Sequence, residues 1–207
     1  MKRILIVSPH PDDETFAMGG TILKLKRAGH FIHLLVLSLG GKSKHPCYDE
    51  KQLKKIRKKE VLEAINAFGI DSYEFANLTD TKIKEDEAYE VIKNTIEKVR
   101  PDRIYLPCNP DTHQDHLHTS HAARLAAFHE GVKEIFIYDT STMLSPMDFY
   151  EDISDFLEEK IKICRLYGSQ TIKNNFKIEK VRARSLARGT EIRREAAEAF
   201  KVIRIVA

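Results

Sequence analysis

The fold is decided at residues 3–14, which read RILIVSPHPDDE. Residues 3–7 form an apolar run typical of a buried parallel strand. One histidine and three carboxylates follow it within seven positions: His10, Asp12, Asp13 and Glu14. Open α/β sheets bind their ligands beyond the carboxyl ends of such strands, and clustered carboxylates repel one another unless a cation lies among them. The segment therefore indicates a metal-binding loop, with the acidic first turn of a helix as the alternative.

Strand-like and helix-like segments alternate along the chain, which predicts βαβ architecture. Strands are expected at residues 3–7, 31–39, 73–76, 103–106 and 135–138. Helices are expected at 16–28, 50–68, 87–100, 156–167 and 191–200, and another follows the loop 107–112 and runs to about residue 128. Residues 40–48 are expected to form a loop, and 148–153 a short irregular segment. The sequence predicts an α/β fold: a single Rossmann-like domain over residues 1–207, with a mostly parallel sheet flanked by helices.

Composition argues against several classes of protein, namely nucleic-acid-binding, membrane-spanning and disulfide-rich ones. With 42% hydrophobic and 31% charged residues, the 207-residue chain is typical of a soluble globular domain. The net charge of +3 is too small to indicate a nucleic-acid surface. No apolar run approaches the roughly 20 residues of a membrane span. The three widely spaced cysteines, Cys47, Cys108 and Cys164, suggest neither a disulfide framework nor a metal motif. We therefore expect a cytoplasmic protein with no nucleic-acid or membrane partner; homo-oligomerisation is left open.

A second polar cluster at residues 111–118 reads DTHQDHLH and follows the predicted strand 103–106. If the strands are parallel, this cluster meets the first one at the same edge of the sheet. Catalytic zinc is commonly held by three nitrogen or oxygen ligands, with a fourth position left for water. One such set is available from the two clusters: His10, Asp13 and His116.

The remaining polar residues of the two clusters suggest a hydrolytic mechanism. Asp12 is adjacent to Asp13 but projects differently, so it is placed to act as the general base for an attacking water. His113 lies one helical turn before His116 and is placed to donate to a developing oxyanion. We expect the Asp115 carboxylate to favour the protonated form of His113.

The two motifs together, residues 10–14 and the His-x-Asp-His of 113–116, resemble the PIG-L/LmbE-like zinc-dependent de-N-acetylases. The similarity extends to Arg57-x-x-Glu60 with Ala64 and residues 68–70, and to Asp80. It also includes C-terminal residues, namely 152–154, Lys160, 167–170, 188–189 and 197–200, the last taken as a closing helix. It covers nearly the whole chain. Some relatives carry a tyrosine shortly before the second motif, where this chain has Asp111 and Thr112.

The resemblance implies a Rossmann-like hydrolase acting on a small N-acetylated sugar or an N-acetylglucosamine conjugate. It assigns zinc ligands at His10, Asp13 and His116, with Fe²⁺ also suited to such a site. It also assigns a general base, Asp12, and a group that stabilises the tetrahedral intermediate, His113. Arg57 and Asp80 are expected to contact the substrate. We place Glu14 behind the ligands, where it orients one of them or the loop.

Three alternatives stay open from the sequence. His and Asp clusters also serve two-metal phosphoester hydrolases. A Rossmann-like sheet also suits a dinucleotide-binding module, although the turn after the first strand lacks GxGxxG. The third alternative is a noncatalytic carbohydrate-binding protein that keeps the metal for structure alone.

Overall fold

A seven-stranded sheet organises the computed structural model, which describes residues 1–42, 45–140, 143–171 and 176–206. Its strands are β1 (Arg3–Ser8), β2 (Phe31–Val36), β3 (Ser72–Phe75), β4 (Arg103–Pro107), β5 (Glu134–Tyr138), β6 (Phe149–Asp152) and β7 (Ala197–Ile205). They lie in the order β3-β2-β1-β4-β5-β7-β6. The first five are parallel, and β7 is antiparallel to both of its neighbours. The α/β class and the mostly parallel sheet are thus confirmed.

The strand order places the two polar clusters side by side. β1 pairs in parallel with β2 on one side and with β4 on the other, in the register Ile6↔Leu34 and Ile6↔Tyr105. The chain therefore winds outward in both directions from the β1/β4 pair, and the loops leaving these two strands open a crevice between them. The first polar cluster leaves β1 and the second leaves β4, so both border this crevice.

Helices cover both faces of the sheet. They are α1 (Asp13–Arg27), α2 (Glu50–Phe68), α3 (Glu85–Val99), α4 (Gln114–His129), α5 (Leu157–Cys164), α6 (Gly168–Thr171) and α7 (Phe176–Glu191), with a 3-10 turn at Ser154–Phe156. Apolar side chains of α1, α2, α5 and α7 pack on one face, and those of α3 and α4 on the other. No helix in the described part of the chain is long and apolar enough to cross a bilayer.

The bounds of α2 agree with the helix predicted at residues 50–68, and the local sequence explains why it begins and ends there. The Asp49 carboxylate accepts a hydrogen bond from the Gln52 backbone at 2.8 Å, and the Gln52 side chain accepts one from the Asp49 backbone at 3.0 Å. This reciprocal capping box satisfies donors that the first turn leaves unpaired. Gly69 ends the helix in the left-handed conformation, with φ 69°.

The C-terminal region corrects the sequence analysis. The helix expected at residues 191–200, including the closing helix of the resemblance, is wrong: α7 ends at Glu191, and residues 197–205 form β7. The segment 148–153 contains the short strand β6. β7 lies between β5 and β6, where both neighbours satisfy its backbone and Phe200 is fully buried against Tyr105. This packing overrides the helical propensity of the Ala-Glu-Ala run.

Candidate active site

The turn after β1 separates the two adjacent aspartates. Asp12 has a φ of 105°, a left-handed conformation that is unfavourable for a residue with a side chain and that often marks functional sites. The Asp12 Oδ1 atom lies 3.3 Å from Arg57 Nη2. Asp13 begins α1, and its Oδ2 atom lies 3.3 Å from His116 Nε2 and 3.4 Å from His10 Nδ1. The two carboxylates therefore have separate partners, as their different expected roles require.

The structure brings His10, Asp13 and His116 together at the carboxyl end of the sheet. One oxygen of Asp13 faces one nitrogen of each imidazole, and the two rings have centroids 5.5 Å apart. His10 and His116 are buried, with exposed fractions of 6% and 4%. Two imidazoles and one carboxylate form a donor set that suits Zn²⁺ or Fe²⁺.

The second nitrogen of each of these histidines is held by a carboxylate. His10 Nε2 lies 3.0 Å from Asp115 Oδ2 and 3.3 Å from Asp80 Oδ1. His116 Nδ1 lies 3.0 Å from Asp111 Oδ2. Carboxylates behind metal-binding histidines fix the tautomer and the orientation of the ring. The arrangement leaves His10 Nδ1 and His116 Nε2 turned toward Asp13, and this is the observation that fits the residues to a metal ion.

The charges at the site also fit a cation. Burial lowers the pKa of His116, but Asp13 and Asp111 outweigh it and raise the pKa to about 10. Burial opposes ionisation of Asp13 as well, but the charge of His116 and the hydrogen bond to His10 hold the pKa of its carboxyl well below the usual value. The protein thus stabilises positive charge between these side chains, and a divalent cation held by His10, Asp13 and His116 would supply such a charge.

Two acidic residues, Asp115 and Asp80, contact His10. The Asp115 carboxylate accepts hydrogen bonds from the Thr81 backbone at 2.7 Å and the Ile83 backbone at 3.2 Å, besides its contact with His10, and it is fully buried. The Asp115 charge also raises the pKa of His113, as expected, but burial and the neighbouring histidines outweigh this effect. Asp80 accepts a hydrogen bond from the Lys42 backbone at 2.8 Å, contacts His10, and also lines the cavity beside the three histidines.

His113 is positioned as a donor. It is the N-cap of α4, and its Nδ1 atom accepts a hydrogen bond from the Asp115 backbone at 3.2 Å. In the neutral ring, an accepting Nδ1 leaves the proton on Nε2. Partial burial and the neighbouring His10 and His116 lower the pKa of His113, which favours that neutral form. The ring stacks on His116 with centroids 4.8 Å apart, so the donor lies beside the side chains that are predicted to bind the metal.

Arg57 and Glu14 support the loop around Asp12. Arg57 Nη2 donates to the Pro11 carbonyl at 3.0 Å, and a Cβ on Gly40 would lie 2.0 Å from Arg57 Nη1. Gly40 therefore makes room for the guanidinium. The Ser8 hydroxyl lies 2.7 Å from both Glu14 Oε2 and the His10 carbonyl. Burial raises the pKa of Glu14 to about 7. A protonated Glu14 can therefore donate to the Ser8 hydroxyl, which in turn donates to the His10 carbonyl.

Two cavities meet at Asp12 and Asp13. The histidine-side cavity has a volume of about 270 Å³ and is lined by the three histidines, Arg57, Lys42 and Gln170 among others. The α7-side cavity, of about 310 Å³, lies between Phe16 of α1, the end of β5 at Asp139, and Lys180 and Arg184 of α7. A substrate reacting at Asp12 therefore has room on both sides.

Sequence reasoning missed Asp111, Gly40 and the α7 cations. Asp111 is identified from the sequence only as the residue that stands where some relatives have tyrosine. A carboxylate close in sequence to a metal-binding histidine, however, commonly binds the second ring nitrogen of that histidine. Asp111 lies five residues before His116, so this rule was available from the sequence. Lys180 and Arg184 carried no local signal, because only the packing of α7 brings them to Asp12.

Comparison with known proteins gives the family to which the chain belongs. Residues 5–127 match the family described as PIG-L: GlcNAc-PI de-N-acetylase, and the chain belongs to this family of de-N-acetylases. It is 25% identical over 185 residues to the probable N-acetyl-alpha-D-glucosaminyl L-malate deacetylase 2 of Bacillus anthracis, covering 82% of this chain and 81% of that protein. It is 26% identical over 191 residues to the diacetylchitobiose deacetylase of Thermococcus kodakarensis, covering 82% of this chain and 70% of that protein.

A solved structure gives the same fold over the full length. The conserved protein TT1542 from Thermus thermophilus superposes with a TM-score of 0.87 at 25% identity, covering 100% of this chain and 97% of that one.

Proposed function

We propose that this chain is a metal-dependent hydrolase that removes the N-acetyl group from an amino sugar or an N-acetylglucosamine conjugate. The observation that carries the proposal is the meeting of His10, Asp13 and His116, two of them backed by carboxylates, beside a separately held Asp12. Zn²⁺ or Fe²⁺ at these three residues would polarise the acyl oxygen and acidify water.

Asp12 is the general base of the proposed mechanism. Its hydrogen bond to Arg57 holds the carboxylate at the junction of the two cavities, beside the residues that would hold the metal. There Asp12 accepts a proton from the attacking water as the oxygen forms its bond to the acetamide carbon. Asp12 then returns the proton to the leaving nitrogen, which yields acetate and a free amine.

His113 supplies the second protein group. Its backbone-capped Nδ1 leaves Nε2–H as a donor, and hydrogen bonds to developing oxyanions contribute strongly in sites shielded from water. Arg57, which lines the histidine-side cavity, is proposed to hold Asp12 and to meet a substrate hydroxyl with the rest of its guanidinium.

The alternatives from the sequence are less well supported. A dinucleotide pyrophosphate would meet Asp12 and Asp13 where a binding module needs glycine backbone, and the negative charges would repel. A two-metal phosphoester hydrolase would need free bridging carboxylates, whereas Asp115 is committed to two backbone N–H groups and His10.

The test is acetate release from a panel of N-acetylated sugars, with metal content measured on the same preparation. The panel should include N-acetylglucosamine, N,N'-diacetylchitobiose and glycosides carrying charged aglycones. We expect acetate from at least one sugar and one metal ion per chain. Two ions per chain together with phosphoester cleavage would replace the proposal by its first alternative, and binding of sugars without acetate release would replace it by the noncatalytic one.

A further inference from the structure

We propose that the α7-side cavity is an anion subsite that selects N-acetylated sugars carrying a carboxylate or phosphate on the aglycone, with Arg184 and Lys180 as the specificity-determining residues. This inference rests on the proposed function and adds a substrate class to it. The cavity opens directly from Asp12 and Asp13, so an occupant of it can be one substituent of the molecule that reacts there.

Arg184 has the positive charge that such a subsite needs. The side chain is half-buried in the cavity wall, and its guanidinium Nη1 donates to the Thr140 carbonyl at 2.7 Å. Among the described residues it forms no ion pair with a carboxylate. A carbonyl dipole does not neutralise a guanidinium, and arginine binds carboxylates and phosphates through several N–H groups at once.

The carboxylates around the cavity already have partners. Asp139 lies 2.9 Å from Arg188 Nη2 and accepts from the Leu144 backbone at 3.0 Å. Asp12 is paired with Arg57, and Asp13 faces His10 and His116. Each carboxylate that lines the cavity therefore has a partner of its own, and Asp139, which also acts on Arg184 electrostatically, forms its ion pair with Arg188.

The remaining walls fit a sugar that places its anion near α7. Phe16 and Val181 supply apolar surface in the same cavity, suited to the CH face of a sugar or a short carbon chain. Lys180 is exposed at the rim, one helical turn before Arg184, so both cations reach one ligand from the same side of α7. A neutral aglycone would leave the half-buried guanidinium of Arg184 with only Asp139, which Arg188 already binds, as a nearby negative charge.

The test measures binding, so it does not depend on turnover. The metal-loaded Asp12→Asn protein, which keeps the substrate intact, is titrated calorimetrically with N-acetyl-α-D-glucosaminyl L-malate and with its dimethyl ester. These ligands differ in charge and share the sugar. N-acetyl-α-D-glucosamine 1-phosphate forms a third arm, which distinguishes a phosphate from a carboxylate as the anion.

We expect at least one anionic ligand to bind about tenfold or more tightly than the ester, which is the scale of a hydrogen-bonded charge pair. Arg184→Ala in the same background should remove most of this advantage, and the exposed Lys180→Ala should remove part of it. Arg182→Ala is the matched control, because Arg182 lies on the same helix and pairs with Glu158.

Equal affinities for the anionic ligands and the ester would overturn the proposal, as would the absence of measurable binding of either anion. An equal loss for all ligands in Arg184→Ala would also overturn it, because that result indicates a structural role. If the wild-type protein releases acetate from no sugar, the proposed function fails; the binding contrast still decides on the subsite.

Discussion

The two cavities that meet at Asp12 are built in different ways. On the histidine side, nearly every polar group is fixed by a neighbour: Asp111 holds His116, Asp115 holds His10, and backbone N–H groups hold Asp80 and Asp115. On the α7 side, the cavity is lined by long cationic side chains and by Phe16. Chemistry requires fixed geometry, whereas recognition of a substituent tolerates adjustable side chains. The contrast predicts that variants on the two sides change different measurements.

The largest effect is expected from His116→Ala. The substitution removes one of three proposed ligands and leaves Asp13 and His10 to hold the ion, so we expect loss of bound metal and of nearly all activity. Elemental analysis of the purified variant measures the metal, and the circular dichroism spectrum controls for folding. A folded variant with undiminished metal content would contradict the ligand assignment.

Asp12→Asn should separate chemistry from metal binding. The amide cannot accept the proton, and general base catalysis contributes roughly 10²- to 10⁴-fold, so kcat should fall by about that factor. Metal content should stay the same. Asp86→Asn, an exposed change in the first turn of α3, is the matched control. If Asp12→Asn kept most of its activity, Asp12 would not be the base.

Arg188→Ala should affect stability. Arg188 and Asp139 form a buried pair, with exposed fractions of 3% and 5%, and removing one partner leaves the other charge buried. Such changes cost about 3–5 kcal/mol in the free energy of unfolding. Urea denaturation measures the loss, and metal content of the folded protein should be unchanged. A loss of metal without loss of stability would show that the two sides are not separate.

The smallest of these effects is expected from Asp111→Asn. The amide keeps the size of the side chain but removes the charge behind His116, and partners of this kind contribute about 10- to 100-fold in metal affinity or activity. Competition with a chelator measures the affinity. Asp155→Asn, in the 3-10 turn far along the chain, serves as its control. An unchanged metal affinity would mean that Asp111 only stabilises the loop between β4 and α4.

The part of the candidate site that follows β1 and β4 could be predicted from the sequence. An apolar run followed by a polar cluster identifies the end of a parallel strand, and two such clusters must meet if their strands are neighbours. His10, Asp13 and His116 follow from this rule. The direction of the Asp115 side chain does not, because it is set by the backbone of residues 81 and 83, which lie more than thirty positions away.

The C-terminal region shows where local pattern fails. Residues 197–200 read AEAF, which favours a helix by propensity, but Glu198 is buried and bonded to Lys160 and to the backbone of Gly20 and Thr21. As a strand between β5 and β6, this segment forms its backbone hydrogen bonds with residues that are far away along the chain. Because such contacts also position α7 against β7, the α7-side cavity could not be predicted from the sequence.

The left-handed backbone of Asp12 and the buried pair that its side chain forms with Arg57 act in opposite directions on stability. An L residue in this conformation is disfavoured by roughly 1–2 kcal/mol, whereas glycine adopts it freely. Glycine at position 12 would, however, leave the buried Arg57 guanidinium without its carboxylate partner, which costs about 3–5 kcal/mol. The carboxylate proposed as the base is therefore also held in place by the fold, so a folded but inactive protein is more readily obtained with asparagine at this position than with glycine.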